Sequence, residues 1–427
     1  MFYIVTGLGL TVITAIGANA ASLGAYNVDP NSVSVSGFSS GGFMAAQLGV
    51  AYSNTFKTGF GVFAGGPYDC ARNQQYTSCM YNGNPSITTP TANMRSWSGN
   101  QIDAVANLQS RKIYMQVGPS DTTVGPNVMS QLKQQLANFG TSSNTVYVTT
   151  NGASHTFPTD YSYIIFEASN CGYDGAGAVL QWMYGSLQAR NTGTLSGSVV
   201  SFSQAGSYGA SGMATTGYLY VPQACQSGST VCKLHVALHG CLQSYGSVQS
   251  KFIDNTGYNK WADTNNIIIL FPQAVADSTS RTIWDGSMLS NSNGCWDWLG
   301  WYGQNADQKG GVQMAALVNQ VNQIISAYNA GGSTPPPTGT TTSTTSSTAP
   351  ASATPAAALY GQCDQTPELS GLLDGLSEED EDLQGLTTEA WAGYVAAEAK
   401  GLEIIARLLE NRRTRVEAAV QTIKADV

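Results

Sequence analysis

Residues 37–42 read Gly37-Phe38-Ser39-Ser40-Gly41-Gly42, placed between a strand-like run at 32–37 (SVSVSG) and a helix-like run at 42–52. A serine in the pattern G-x-S-x-G, at that junction, fits a sharp strand-to-helix turn in which a side chain at the glycine positions would clash. The turn pushes the serine hydroxyl out at the carboxyl end of the strand, and the following helix aims its first amides at developing negative charge. Such a turn needs a strand buried between helices, so it points to an α/β sheet. Ser39 is the candidate nucleophile, and an ordinary Gly/Ser turn is the plain alternative.

The rest of the chain agrees with that architecture from about residue 25 to 330. Strand-like runs recur at 60–64, 112–117, 145–149, 234–238 and 267–271, alternating with helix-like runs at 128–138, 176–190 and 311–328. Alternation of short apolar runs with amphipathic segments is the mark of an α/β fold. The last helix-like run carries Met314, Leu317, Val318, Val321, Ile324 and Ile325 as one apolar stripe.

The flanks differ. Residues 1–20 form an apolar run ending in Ala18-Asn19-Ala20, which reads as a secretory signal peptide cut near Ala21, although no Lys or Arg precedes it. Residues 331–359 are a Pro/Thr/Ser linker. Residues 360–427 form a charged, helix-prone tail whose Ile404, Leu408, Val416 and Val420 fall at helical spacing. The catalytic body is therefore expected to be 21–330, exported and extracellular, with no segment that spans a membrane.

Charged residues make up 11% of the chain, against about 25% in an average globular protein. Residues 1–359 hold 13 acidic and 12 basic side chains, whereas 360–427 hold 14 and 6. A near-neutral body lacks the basic field that nucleic acid would require. It suits a surface that adsorbs to an uncharged solid. The eight cysteines fit an oxidising compartment. Cys70 and Cys79 are close in sequence, as are Cys225 and Cys232, and Cys241 and Cys295 can meet across the fold. No spacing resembles a zinc site. Cys171 and Cys363 have no evident mate.

A serine hydroxyl needs a base to take its proton. The chain has three histidines, His155, His235 and His239. His155 lies in a loop after the run at 145–149, whereas His235 sits inside a strand-like run and reads as structural. Hydrolases of this class run nucleophile, acid, histidine along the chain, which favours His155. The acid then falls between the two. Asp121 directly follows the run at 112–117, although turn or helix-cap aspartates look the same. Asp69 stands beside Cys70 in what reads as a stapled loop, and Asp103 in a helix-like stretch. An oxyanion hole is also required, with one amide from Ser40, the residue after the nucleophile. The second donor usually comes from a His-Gly loop earlier in the chain. Here that loop, Leu238-His239-Gly240-Cys241, comes after the triad. The order makes sense if the fold is circularly permuted, so that the helix at 311–328 once led into Tyr26-Asn27-Val28 and the nucleophile strand.

With these segments assembled, residues 25–330 resemble the single-domain fungal extracellular polyhydroxybutyrate depolymerases, which are secreted serine esterases with a circularly permuted α/β-hydrolase fold. The matching stretches are NVDPNSVSVSGFSSGG, GVFAGGPYDCARN, SDTTVGPNV, LHVALHGCLQSY and GCWDWLGWYG. The resemblance implies Ser39 as nucleophile, Asp121 as acid and His155 as base. It implies the backbone amides of Ser40 and Cys241 as the oxyanion hole, and Trp298 as an aromatic that contacts substrate, where a core tryptophan is the alternative. It implies no metal or cofactor. Two departures stand out. After Asp160 the family carries a longer Gly/Ser-rich segment with another cysteine, so Cys171 is expected to have lost its partner. Tyr360-Gly361-Gln362-Cys363 resembles the opening of a fungal cellulose-binding module that does not continue.

The reading that follows is a monomeric enzyme hydrolysing an insoluble polyester, poly(3-hydroxybutyrate), through an acyl-enzyme on Ser39. An acetylxylan or feruloyl esterase acting on plant cell-wall polysaccharide is the second reading, supported by the module-like remnant. A catalytically inactive polymer-binding protein is the third.

Overall fold

The computed structural model describes residues 20–150, 152–161 and 168–329. The expected leader up to residue 19, the linker at 331–359, the tail at 360–427 and residues 162–167 of the departing segment lie outside them.

Eight strands form one sheet. In chain order they are β1 (Val28–Phe38), β2 (Gly59–Phe63), β3 (Lys112–Val117), β4 (Thr145–Thr149), β5 (Ser198–Ser203), β6 (Thr216–Val221), β7 (Cys232–Leu238) and β8 (Ile267–Phe271). They lie in the order β4-β3-β2-β1-β7-β8-β6-β5. β6 runs antiparallel to both of its neighbours, and the other pairings are parallel. Six of these strands match the runs legible in the sequence. β5 and β6 were not among them, because β5 mixes Ser with apolar residues on a mostly exposed edge and β6 opens on Thr and Gly before a short apolar run.

The apolar faces of α1 (Ser40–Ala51), α2 (Pro126–Ala137) and α4 (Val312–Ile325) pack one side of the sheet. On the other side lie α3 (Gly175–Tyr184) and the helix Tyr258–Asn265. α1 is buried along its whole length, which its small and apolar residues permit. In α4 the expected stripe is turned inward at Met314, Leu317, Val318, Val321 and Ile324.

The sheet order reveals the permutation. The connection from β4 to β5 joins opposite edges of the sheet, whereas connections in α/β domains are normally short. Counted from β5 instead, the strands run 1-2-4-3-5-6-7-8, and every link joins neighbours or next neighbours. That count requires the end of α4 to meet the start of β1, and it does. Tyr26 N donates to Ile324 O at 2.7 Å, Gln323 Nε2 to Leu23 O at 3.1 Å, and Asn329 N to Asn27 Oδ1 at 3.1 Å. The fold is a circularly permuted α/β hydrolase.

β1 alternates Val and Ser yet is buried on both faces from Val33 onward. Its serines are accommodated by a buried polar chain. Ser34 Oγ and Ser36 Oγ each lie 2.7 Å from a ring nitrogen of His235 on β7, and their other partners are the hydroxyls of Tyr184 and Tyr258 at 2.7 and 2.6 Å. Ser34 is the register partner of His235. A slip of one residue would bury two hydroxyls and an imidazole without partners, so this chain fixes the register of the two central strands.

Burial lowers the His235 pKa from 6.5 to about 3. The unfolded chain takes up a proton below 6.5 that the folded chain refuses until about 3. Stability should therefore be unaffected by this group above pH 7 and should fall between those values, by about 1.4 kcal/mol per pH unit. Urea unfolding at pH 7, 6, 5 and 4 measures the slope. His235→Gln, which cannot titrate, should give a shallower decline, and equal slopes in the two proteins would mean that His235 is not held neutral.

Candidate active site

Ser39 stands between the end of β1 and the first residue of α1, with φ 56° and ψ −122°. A side chain in this left-handed region is strained and persists only where the surroundings hold it. Two glycines make the turn possible. A Cβ on Gly37 would lie 2.1 Å from the Gly41 carbonyl oxygen, and one on Gly41 would lie 2.5 Å from the carbonyl oxygens of Leu238 and His239. The Ser39 amide is secured on β2 by donating to Phe63 O at 2.9 Å.

The three expected side chains meet. His155 Nε2 is 2.9 Å from Ser39 Oγ, and His155 Nδ1 is 2.8 Å from Asp121 Oδ2. All three residues are buried. Asp121 comes from the loop after β3, where its second oxygen accepts the amides of Thr123 and Val124, both at 2.9 Å. Burial opposes charge on Asp121, but the facing His155 and these two amides outweigh it and hold the carboxyl below its ordinary pKa. An ionised carboxylate only accepts hydrogen bonds, so Nδ1 carries the imidazole proton and Nε2 faces the serine hydroxyl with a lone pair. The His155 ring also packs on Phe38, with centroids 4.7 Å apart.

The loop bearing His155 is held at both ends. Ser120 N donates to Ala153 O at 3.1 Å, and a Cβ on Gly118 would meet the Ala153 carbonyl oxygen at 2.2 Å. Downstream, Asp160 is gripped by Arg190 at 2.7 and 2.9 Å, and the same guanidinium reaches Asp174 at 2.6 Å. The competing carboxylates are engaged elsewhere. Asp69, just before the loop stapled by Cys70–Cys79, pairs with Arg72 of that loop and with Asn93. Asp103 pairs with Lys309 and accepts the Asn54 amide, and it precedes a short 3-10 helix instead of lying within one.

The His-Gly loop lies against the nucleophile. A Cβ on Gly240 would come within 3.1 Å of Ser39 Cβ and 3.0 Å of Phe38 Cδ1. This brings the backbone of Gly240-Cys241 beside the start of α1, where Ser40 begins. His239 was legible only as the leader of its dipeptide, and the fold gives it a definite task. Its Nδ1 lies 2.7 Å from Gly240 O, and its Nε2 accepts the Ala274 amide at 3.0 Å. The accepted amide assigns the proton to Nδ1, and burial, partly offset by the Gly240 carbonyl, lowers the pKa to about 4.

Trp298 is buried and stacks on Phe43 of α1 with centroids 4.3 Å apart and planes 17° from parallel. It packs in one cluster with Val124, three residues beyond Asp121. The side chain is thus next to the elements that carry Ser39 and Asp121. Cys70–Cys79, Cys225–Cys232 and Cys241–Cys295 form the three expected disulfides. Cys171 departs from expectation. It is disulfide-bonded and so not left single. Spacing could not reveal this, since the pairing of a distant cysteine is decided by the fold. Cys363 lies outside the described residues. Asp297 was likewise not singled out from the sequence. Its buried carboxylate accepts the amides of Leu299, Gly300, Trp301 and Tyr302 at 2.7 to 3.2 Å and shapes the loop that carries Trp298. An aspartate set between two tryptophans, with a glycine following, is the signal that could have found it.

No family model matches the chain. A polyhydroxybutyrate depolymerase from Talaromyces funiculosus is 70% identical over 332 residues, spanning 75% of this chain and 97% of that protein. A poly(3-hydroxybutyrate) depolymerase from Delftia acidovorans is 44% identical over 333 residues, which are 74% of this chain and 64% of that protein. Among solved structures, the PHB depolymerase from Penicillium funiculosum superposes with a TM-score of 0.71 at 72% identity, covering 72% of this chain and 100% of that one. An S39A PHB depolymerase complexed with an R3HB trimer superposes with the same TM-score at 71% identity and the same coverage. With this likeness, and with a permuted hydrolase sheet presenting a serine, a histidine and an aspartate in hydrogen-bonding contact, the chain belongs to the polyhydroxybutyrate depolymerase family.

Proposed function

We propose that this protein is a secreted serine esterase that cleaves the ester bonds of poly(3-hydroxybutyrate) outside the cell. The observation that carries the reading is the Ser39–His155–Asp121 relay, with Nε2 2.9 Å from Oγ and Nδ1 2.8 Å from the carboxylate. The relatives' substrates support the choice of polymer. Secretion is supported by the leader-like segment at 1–20 and by three disulfides. Among the described residues no helix is long and apolar enough to cross a membrane.

His155 removes the proton from Ser39 as Oγ attacks the ester carbonyl, and the imidazolium that forms is stabilised by ionised Asp121. The backbone amides of Ser40 and Cys241 receive the carbonyl oxygen as it becomes negative. The tetrahedral species collapses to an acyl-enzyme as His155 returns its proton to the leaving hydroxyl end of the polymer. Water, deprotonated by the same imidazole, then releases the acid and restores Ser39. Trp298 contacts the chain beside the scissile ester.

The direct test is clearing of a poly(3-hydroxybutyrate) granule suspension by the full-length secreted protein. The wild type should clear it, and Ser39→Ala should adsorb to the granules without clearing. Hydrolysis of p-nitrophenyl butyrate without clearing, accompanied by release of acetate or ferulate from xylan, would move the assignment to a cell-wall esterase. Adsorption without turnover of either ester would leave a binding protein.

A second test addresses Asp121. In Asp121→Asn the side-chain amide can present a donor to Nδ1 and favour the wrong imidazole tautomer. The kcat for p-nitrophenyl butyrate should then fall by about 10⁴ with Tm little changed. A loss below tenfold would remove Asp121 from the relay.

A further inference from the structure

Both proposed oxyanion donors are gripped by one pair of adjacent residues. Cys295 is bonded through its sulfur to Cys241. The amide of the next residue, Trp296, donates to Ser40 Oγ at 3.3 Å. The pair sits in a rigid frame. Buried Asn291 accepts the Cys295 amide and donates to its carbonyl, both at 2.8 Å. Trp296 is fully buried with its ring 5.3 Å from that of His239. The following carbonyl, Asp297 O, accepts from Gln47 of α1 at 3.1 Å.

The loop on the other side of the disulfide has hydrogen bonds of its own. Gly240 N donates to the Gln243 side chain at 2.8 Å, and Leu242, at φ 61°, donates its amide to Asn293 O at 2.7 Å. His239 pins the Gly240 carbonyl. In a trans peptide the carbonyl and the following N–H point in opposite directions, so that pin turns the Cys241 amide away from His239. The pin sets the tilt of the peptide. Close contacts at Gly41 and Gly240 bring the peptide against the start of α1, and a covalent bond to a fixed abutment keeps it at that distance.

We propose that Cys295 is a positioning residue for the oxyanion hole. Its disulfide to Cys241, together with the Trp296 amide on Ser40, sets the spacing of the two donors. This rests on the reading of the Ser40 and Cys241 amides as those donors. Such a hole acts only when its donors stand 2.7–3.1 Å from the oxyanion, so a shift of about half an ångström in one of them is enough to weaken it. A disulfide serving only as a staple would lower Tm when removed and leave chemistry below Tm intact.

The test compares full-length Cys241→Ala/Cys295→Ala with wild type at 25 °C, using p-nitrophenyl butyrate and inhibition by butaneboronic acid, whose tetrahedral adduct on Ser39 places an oxygen in the hole. Removing both sulfurs keeps the Cys241-position amide and takes away only the tether. The kcat should fall about 10- to 100-fold with KM within threefold, and boronate affinity should weaken by the same factor as kcat/KM. A lowered Tm with kcat and boronate affinity both within twofold of wild type would overturn the proposal. Cys241→Pro/Cys295→Ala separates the underlying reading, because proline has no N–H. A further drop of about tenfold or more relative to the double alanine chain, with unchanged circular dichroism, supports that amide as a donor. Equal activity of the two variants would refute the donor reading itself. Should the double alanine chain fail to fold, Ser40→Ala carries the test, since it retains every disulfide and every amide. A parallel loss of about three- to tenfold in kcat and boronate affinity supports the clamp, and no change overturns it.

Discussion

The backbone of Ser39 is held in a conformation it would not choose alone. Ser39 stays at positive φ because α1 starts hard against the carbonyls of Leu238 and His239, at a distance that admits no Cβ on Gly41. That contact joins β1, α1 and the loop after β7 in one small volume. It places the serine hydroxyl, the first amide of a buried helix and the His-Gly peptide side by side. The energy that holds the turn comes from the packed sheet around it, where β1 is flanked by β2 and β7 and covered on both faces.

Low charge shapes the interior as well as the surface. Buried polar groups here are largely matched by neutral partners. His235 sits between two serines, and His239 bridges a carbonyl and an amide. Both are kept neutral by burial, which costs nothing at neutral pH but leaves the fold open to acid. The triad histidine differs from them in facing a carboxylate and a hydroxyl. Three histidines of identical chemistry thus serve three purposes, and the partners on either ring nitrogen separate them.

The permutation explains why residues so far apart in the chain share a site. Ser39, Asp121 and His155 lie in the first half of the described chain, whereas the His-Gly loop and the Trp298 loop come from the second. In the sheet, β7 lies directly beside β1, so the late segments fall on the nucleophile as they would in an unpermuted hydrolase. The Cys241–Cys295 disulfide ties the two late segments together on that side. Covalent order has changed, while the order of strands in space, which packing and pairing determine, has not.

Local signals were enough for much of this protein. The elbow was legible because glycine, serine and a strand-to-helix change coincide within six residues, and β3, β4 and β8 because their apolar runs are short and sharply bounded. His155 and Asp121 were legible through chain order and through their places after strands. The antiparallel strands β5 and β6 were hidden, since β5 is broken by serines and β6 offers only the short run Tyr218–Val221, and both gain their identity by pairing at the sheet edge. The bonded state of Cys171, the serine partners of His235 and the tautomer of His239 depend on groups remote in sequence. The sequence by itself determined the fold class and narrowed the candidate reacting residues to Ser39, Asp121 and His155, because strand–helix alternation and chain order are legible along the chain. Only the tertiary structure decided which histidine faces a carboxylate and which loops flank the serine, because hydrogen-bond partners are assigned by three-dimensional proximity.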